Sequence, residues 1–163
     1  MLSLNLTAAH KSLIFLDIDG VLCTQPPWKP ETMAADGYSE FNSACVENLN
    51  RLVEQTGAVI ILTSSRRMTK SVAEFQAIMQ RRGFQGEILG KVDEATAPTG
   101  ASRTSEIEGW FGRHGEPARF VILDDDARLA ELPAHYRAHW VRTTYHYGLD
   151  AAALAEAIAI LGQ

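Results

Sequence analysis

Apolar and polar positions alternate along the chain in two rhythms. Residues 13–16, Leu-Ile-Phe-Leu, form an unbroken apolar run that leads into Asp17-Ile18-Asp19-Gly20-Val21-Leu22. Residues 58–62, Ala-Val-Ile-Ile-Leu, form a further run of this kind, and in 119–123, Arg-Phe-Val-Ile-Leu, four apolar residues follow one basic residue. Such short continuous runs suit parallel strands covered on both faces. Between them the spacing changes to three and four. Phe41, Ala44, Cys45, Leu49, Leu52 and Val53 predict a helix over 41–55 that closes at Gly57. Val72, Phe75, Ile78 and Met79 predict a second over 71–82, and Ile107, Trp110 and Phe111 a third over 105–114. Residues 86–92 and 138–143 read as short strands, and Asp150 as the cap of a last helix reaching Leu161. Three prolines, Pro26, Pro27 and Pro30, make the stretch from Thr24 to about Ser39 a loop, and the polar segment from Asp93 to Thr104 reads as another.

Strands alternating with helices imply an α/β fold with a mainly parallel sheet and right-handed crossovers. The order of elements then makes three polar clusters converge. Asp17/Asp19, Thr63/Ser64 and Asp124/Asp125 each follow directly on an apolar strand, so all should lie at the carboxyl edge, where open α/β sheets bind ligands. In a strand, residues i and i+2 share a side, which would project Asp17 and Asp19 together. Gly20 would let the chain turn immediately afterwards.

Composition narrows the class without naming a chemistry. The chain has 163 residues, 46% hydrophobic and 21% charged, which fits one soluble domain spanning 1–163. The formal net charge of -5 argues against a general nucleic-acid binder. Cys23 and Cys45 have neither disulfide-framework nor zinc spacing. Residues 1–10 lack the basic segment of a cleaved signal, and no stretch approaches the roughly 18 apolar residues of a membrane span. A cytoplasmic protein without membrane contact is expected.

Carboxylates, hydroxyls and nearby arginines, with no His or Cys nucleophile in a recognisable local motif, form the inventory at that edge. Several carboxylates with water suit a hard, oxygen-seeking cation such as Mg²⁺. Arginine and hydroxyl groups complete an anion pocket. Phosphoryl transfer is the reaction this set serves best, and a carboxylate can itself act as the nucleophile.

The string from Leu13 to Leu22 resembles the first motif of the haloacid dehalogenase (HAD) superfamily. That resemblance implies a Rossmann-like three-layer sandwich and a magnesium-dependent phosphatase working through an aspartyl-phosphate. It assigns Asp17 as nucleophile and metal ligand, and Asp19 as general acid and base whose backbone carbonyl also meets the metal. Thr63 or Ser64 would be the hydroxyl of the second motif, and Asp124 and Asp125 the acidic fourth motif holding Mg²⁺. The third-motif cation is Arg103 or Lys91; an arginine there departs from the usual lysine. Arg66 is a candidate phosphate ligand at the rim. The Thr-Ser-Ser-x-Arg stretch, Arg103-x-x-Glu106-Ile107, Leu123-Asp124-Asp125-Asp126 and Gly148-Leu149 further resemble small HAD domains associated with RNA-repair proteins.

Neither the segment between Leu22 and Ala58 nor that between Thr63 and Arg103 has room for a sizeable cap domain. By family analogy an open site suits a large phosphorylated partner, a nucleic-acid end or a phosphoprotein. Trp28 in the proline loop is a candidate substrate platform, and Tyr145, His146 and Tyr147 are candidate specificity residues. The competing readings are a non-catalytic phosphate-binding or partner module on the same fold, and another HAD reaction such as phosphomutase.

Overall fold

The computed structural model describes residues 12–24, 28, 32–63, 70–92 and 102–162. Five strands form one sheet: β1 (Ser12–Leu16), β2 (Val59–Leu62), β3 (Ile88–Lys91), β4 (Arg119–Asp124) and β5 (Trp140–Arg142). Their order is β3-β2-β1-β4-β5 and every pairing is parallel. The helices are α1 (Ser43–Thr56), α2 (Val72–Arg81), α3 (Arg103–His114), α4 (Ala134–Arg137) and α5 (Ala151–Leu161), with a 3-10 turn at Ala127–Glu131.

The chain steps outward from β1 through β2 to β3, then returns past β1 to β4 and β5. A right-handed crossover puts its helix on opposite faces for the two directions of travel. Accordingly α1 and α2, joined by α5, cover one face. There Cys45, Leu49, Leu52, Phe75, Met79, Leu154 and Leu161 pack on Ile14, Leu16, Ile60, Leu62, Val121 and Leu123. On the other face α3 and the two short helical pieces bring Ile107, Trp110, Phe111, Leu129 and Leu132 onto Leu13, Phe15, Val59, Ile61, Phe120 and Ile122. Phe15 is the hub of that side, with edge-on rings at 5.2 Å (Trp110), 5.4 Å (Phe111) and 6.1 Å (Phe120). The result is an α/β three-layer arrangement, with no cap domain among the described residues.

Local signals explain most boundaries. Asn42 caps α1 by accepting from the backbone of Ala44 and Cys45, and Ser71 with Glu74 forms a capping box on α2. Asp150 caps α5, and Asp126 the 3-10 turn. Several boundaries differ from the sequence reading, and two of them have a plain cause. Helix α3 begins at Arg103, because Ser102 caps it, so Arg103 lies in the first turn and not in the preceding loop. Strand β5 begins at Trp140, because the Ala138 N–H is still bonded to Ala134. The 3-10 turn and α4 are too short for hydrophobic spacing to reveal.

Candidate active site

The period of two in the strands decides which polar groups meet. Phe15, Ile61 and Ile122 face α3, and the same parity carries Asp17, Thr63 and Asp124 to that side. The ladder runs one residue beyond β1 and β2, since Asp17 N–H donates to Leu123 O (3.0 Å) and Thr63 N–H to Leu16 O (2.9 Å). Thr63 and Asp124 are fully buried and Asp17 is 6% exposed. The α3 N-terminus lies at this same carboxyl edge and brings in Arg103.

Arg103 connects the set. Its Nη1 donates to Asp124 Oδ2 at 2.7 Å and to Thr63 Oγ1 at 3.3 Å, and lies 3.4 Å from Asp17 Oδ1. Behind it, Glu106 Oε2 stands 3.8 Å from Nε. The Asp126 N–H donates to the other Asp124 oxygen at 2.9 Å, which fixes that carboxylate from both sides. Asp17, Asp124 and Asp125 each offer an oxygen within 4.8 Å of the others.

A tight turn closes the site below. Ile18 O accepts from Val21, Leu22 and Cys23, and Gly20 N–H donates to Cys23 O (2.8 Å). Gly20 has φ +79°, and a Cβ there would run into the Asp125 carboxylate. Only glycine both adopts that backbone readily and leaves Asp125 its place. The turn also moves Asp19 out of the strand pattern, so Asp17 and Asp19 do not project as i and i+2 of one strand. Half-buried Asp19 bridges to Cys23 through its backbone, and its carboxylate is not one of the three clustered acids.

Crowded, poorly hydrated acids resist ionisation. Burial, followed by the neighbouring Asp17, pushes Asp124 up to about 7 and Asp125 up to about 6. Asp17 is raised as well, by burial first, with Arg103 pulling the other way and Asp19 adding to the rise. Burial works against the Arg103 charge, but Asp124, Asp17 and Glu106 outweigh it and raise its pKa. Among the described residues of the site, negative charge is in surplus. Three oxygen donors at this spacing, whose pKa values burial first and then mutual repulsion raise, form a donor set that fits a hard divalent cation.

Of the other sequence candidates, Ser64 and Arg66 lie outside the described residues. Lys91 directs its ammonium to Lys70 O at 3.3 Å. Asp126 pairs with Arg128 (2.8 Å) as it caps the turn. His139 stacks on Phe120 at 4.0 Å and His114 tilts over Trp110 at 4.6 Å, which gives both packing roles. Sequence reasoning does not single out Glu106, Thr143 or Trp140 as parts of the site. Thr143 Oγ1 donates to Gly20 O (2.7 Å), and Trp140 Nε1 donates to Asp124 O (3.0 Å). The signs of Glu106 in the sequence are its i, i+3 spacing from Arg103 and its place in the Arg103-x-x-Glu106-Ile107 stretch, which gives it no role.

A central parallel strand ending in acids, a hydroxyl after its neighbour, a guanidinium from the crossover helix and further acids after the next strand define a capless domain of the HAD type. The family described as "HAD domain in Swiss Army Knife RNA repair proteins" matches residues 13–154, and the chain belongs to it. Neither the curated proteins nor the solved structures contain a match.

Proposed function

We propose that the protein is a magnesium-dependent phosphatase that removes a terminal phosphate from a nucleic-acid end, with Asp17 as nucleophile. The observation that carries this reading is the meeting of Asp17, Asp124 and Asp125 oxygens within 4.8 Å beside the Arg103 guanidinium. A phosphate monoester brings up to two negative charges to a site already rich in carboxylates, so it needs both a divalent cation and a fixed arginine.

Asp17, Asp124 and Asp125, with the Asp19 carbonyl, would hold Mg²⁺. When bound, the ion supplies neutralising charge to the acids and to the phosphoryl oxygens. Arg103 and the Thr63 hydroxyl orient the phosphoryl group. An Asp17 carboxylate oxygen attacks phosphorus, the bond to the leaving oxygen breaks, and Asp19 delivers the proton that oxygen takes up. Asp19, now ionised, removes a proton from a water that attacks the aspartyl-phosphate, releasing inorganic phosphate and regenerating Asp17. The absence of a cap domain and the family's RNA-repair association support a polymeric substrate over an enclosed metabolite.

The test is phosphate release from glycerol phosphate and from 3′- and 5′-phosphorylated oligonucleotides, with Mg²⁺ or EDTA, for the wild type and Asp17→Asn. Release should require Mg²⁺ and fall by at least about 10³-fold in Asp17→Asn. Metal-independent release, or full activity in the variant, would refute the mechanism. Binding of Mg²⁺ and phosphate by a folded protein that turns nothing over would make the chain a phosphate-binding module instead.

A further inference from the structure

Trp28 is 72% exposed and Tyr147 is 68% exposed, the two most exposed large hydrophobic side chains among the described residues. Exposed His146 joins them: its ring centroid is 6.3 Å from that of Trp28 and 6.4 Å from that of Tyr147, both at steep interplanar angles. Exposed aromatics normally carry a cost in solubility, and three together at one place call for an occupant.

Their position is set by the catalytic turn. Residues 143–149 dock on the loop that follows Asp17 and Asp19. Thr143 Oγ1 donates to Gly20 O (2.7 Å) and Leu149 N–H to Val21 O (2.9 Å), while Cys45 Sγ of the adjacent α1 donates to Tyr147 O (3.4 Å). Gly148 has φ +57°, and a Cβ there would come within 2.5 Å of Val21 O, so the two segments touch backbone to backbone. The turn carrying His146 and Tyr147 is closed by Gly148 N–H to Thr144 O (2.7 Å). His146 and Tyr147 are thus tied to the strand end that bears the acids, and Trp28 stands beside His146. Arg142 lies on the same edge, in register with Asp124 and with its guanidinium over the Trp140 ring at 5.8 Å.

We propose that Trp28, flanked by His146 and Tyr147, is a stacking platform for the nucleobase of the nucleotide whose terminal phosphate enters the site. This rests on the phosphatase reading above. A chain of net charge -5 lacks the general positive field that usually draws nucleic acid in. Recognition then falls to the face of a base, which any aromatic ring can meet whatever the sequence; such stacking is worth about 1–3 kcal/mol per base. A phosphopeptide offers no obligatory ring beside its phosphate, so the same feature favours a nucleic-acid end over a phosphoprotein.

The experiment compares oligonucleotides bearing a terminal 3′ or 5′ phosphate on a normal nucleotide with the same oligonucleotides made abasic at that nucleotide. A serine phosphopeptide and glycerol phosphate accompany them. For the wild type, kcat/KM should favour the base-bearing end by about ten- to a hundredfold, mainly through KM. In Trp28→Ala that ratio should fall to about two or less, while Trp28→Phe keeps most of it, as a stacking role requires. Because Trp28 is largely exposed, loss of folding is not expected in either variant. If glycerol phosphate and oligonucleotides are hydrolysed but the terminal base makes no difference, or the difference survives Trp28→Ala, the platform falls and the phosphatase stands. Preference for the phosphopeptide over every oligonucleotide overturns it equally. If nothing is hydrolysed, the phosphatase reading fails by itself, and equilibrium binding of the same oligonucleotides decides the platform. Base-dependent binding lost in Trp28→Ala then supports it, and base-independent binding or none overturns it.

Discussion

Asp124 and Asp125 hold protons at pH values where an ordinary aspartate has lost them, and this couples the site to stability. Their folded pKa values, about 7 and about 6, lie above the ordinary 3.8. Between these limits the native state binds more protons than the unfolded chain, so stability of the metal-free protein falls as pH rises from about 4 to about 7. Asp36, held far below the usual range by Arg82, and the lowered Glu74 and Asp126 act in the opposite sense. Their stabilisation is present above the unfolded carboxylate pKa and is lost only as pH falls through their lower folded values. Thermal melts in EDTA at pH 4.5, 6 and 7.5 should therefore show a decline that Asp125→Asn reduces, the variant being the more stable at pH 7.5. Excess Mg²⁺ should stabilise the wild type chiefly above pH 6, since a metal needs the ionised acids, and should do little for Asp125→Asn. A wild-type decline that Asp125→Asn leaves unchanged would count against this account. Asp17, Asp124 and Asp125 were legible in the sequence because they sit directly after apolar runs. Thr143 was not, because it acts on Gly20, a partner that only folding brings near.

At the level of elements, the start of α3 decides what Arg103 can reach. Capped by Ser102, the helix begins two residues earlier than its hydrophobic spacing indicates, and its first turn carries the guanidinium over Asp17, Asp124 and Thr63. Spacing could not reveal this, because Arg103 and Thr104 add no exposed polar face or long apolar side chain to the pattern. Arg103→Ala should lower kcat/KM by about 10²–10³-fold, the usual cost of removing a fixed electrostatic group from a transition state. Arg103→Lys should recover part of that loss, since an ammonium restores charge but cannot make the same planar set of contacts. Equal activity of the alanine variant and the wild type would remove Arg103 from the mechanism. Lys91, the other cation offered by the sequence, donates to the Lys70 carbonyl at 3.3 Å.

Across the whole molecule, the parallel sheet and its reversal between β1 and β4 gather the acids in the crevice where strand order changes direction. Unbroken apolar runs made β1, β2 and β4 plain in the sequence, and with them the edge on which the site is built. The pieces between β4 and β5 were hidden by their brevity. The reach of the loops was hidden too, since no local pattern says that residues 143–149 come back to Gly20. One further consequence concerns time. The proposed nucleophile follows the first strand and its acidic partners close the fourth, about a hundred residues later, so a chain growing from its N-terminus holds Asp17 before the proposed cation site can form. The proposed competence to act on phosphate then arises only when β4 settles against β1. Mg²⁺ should accordingly slow unfolding while leaving the folding rate almost unchanged, as expected for an interaction absent from the transition state. Stopped-flow refolding and unfolding with and without the ion would show the effect on one limb only, and acceleration of folding by Mg²⁺ would mean that the acids assemble early.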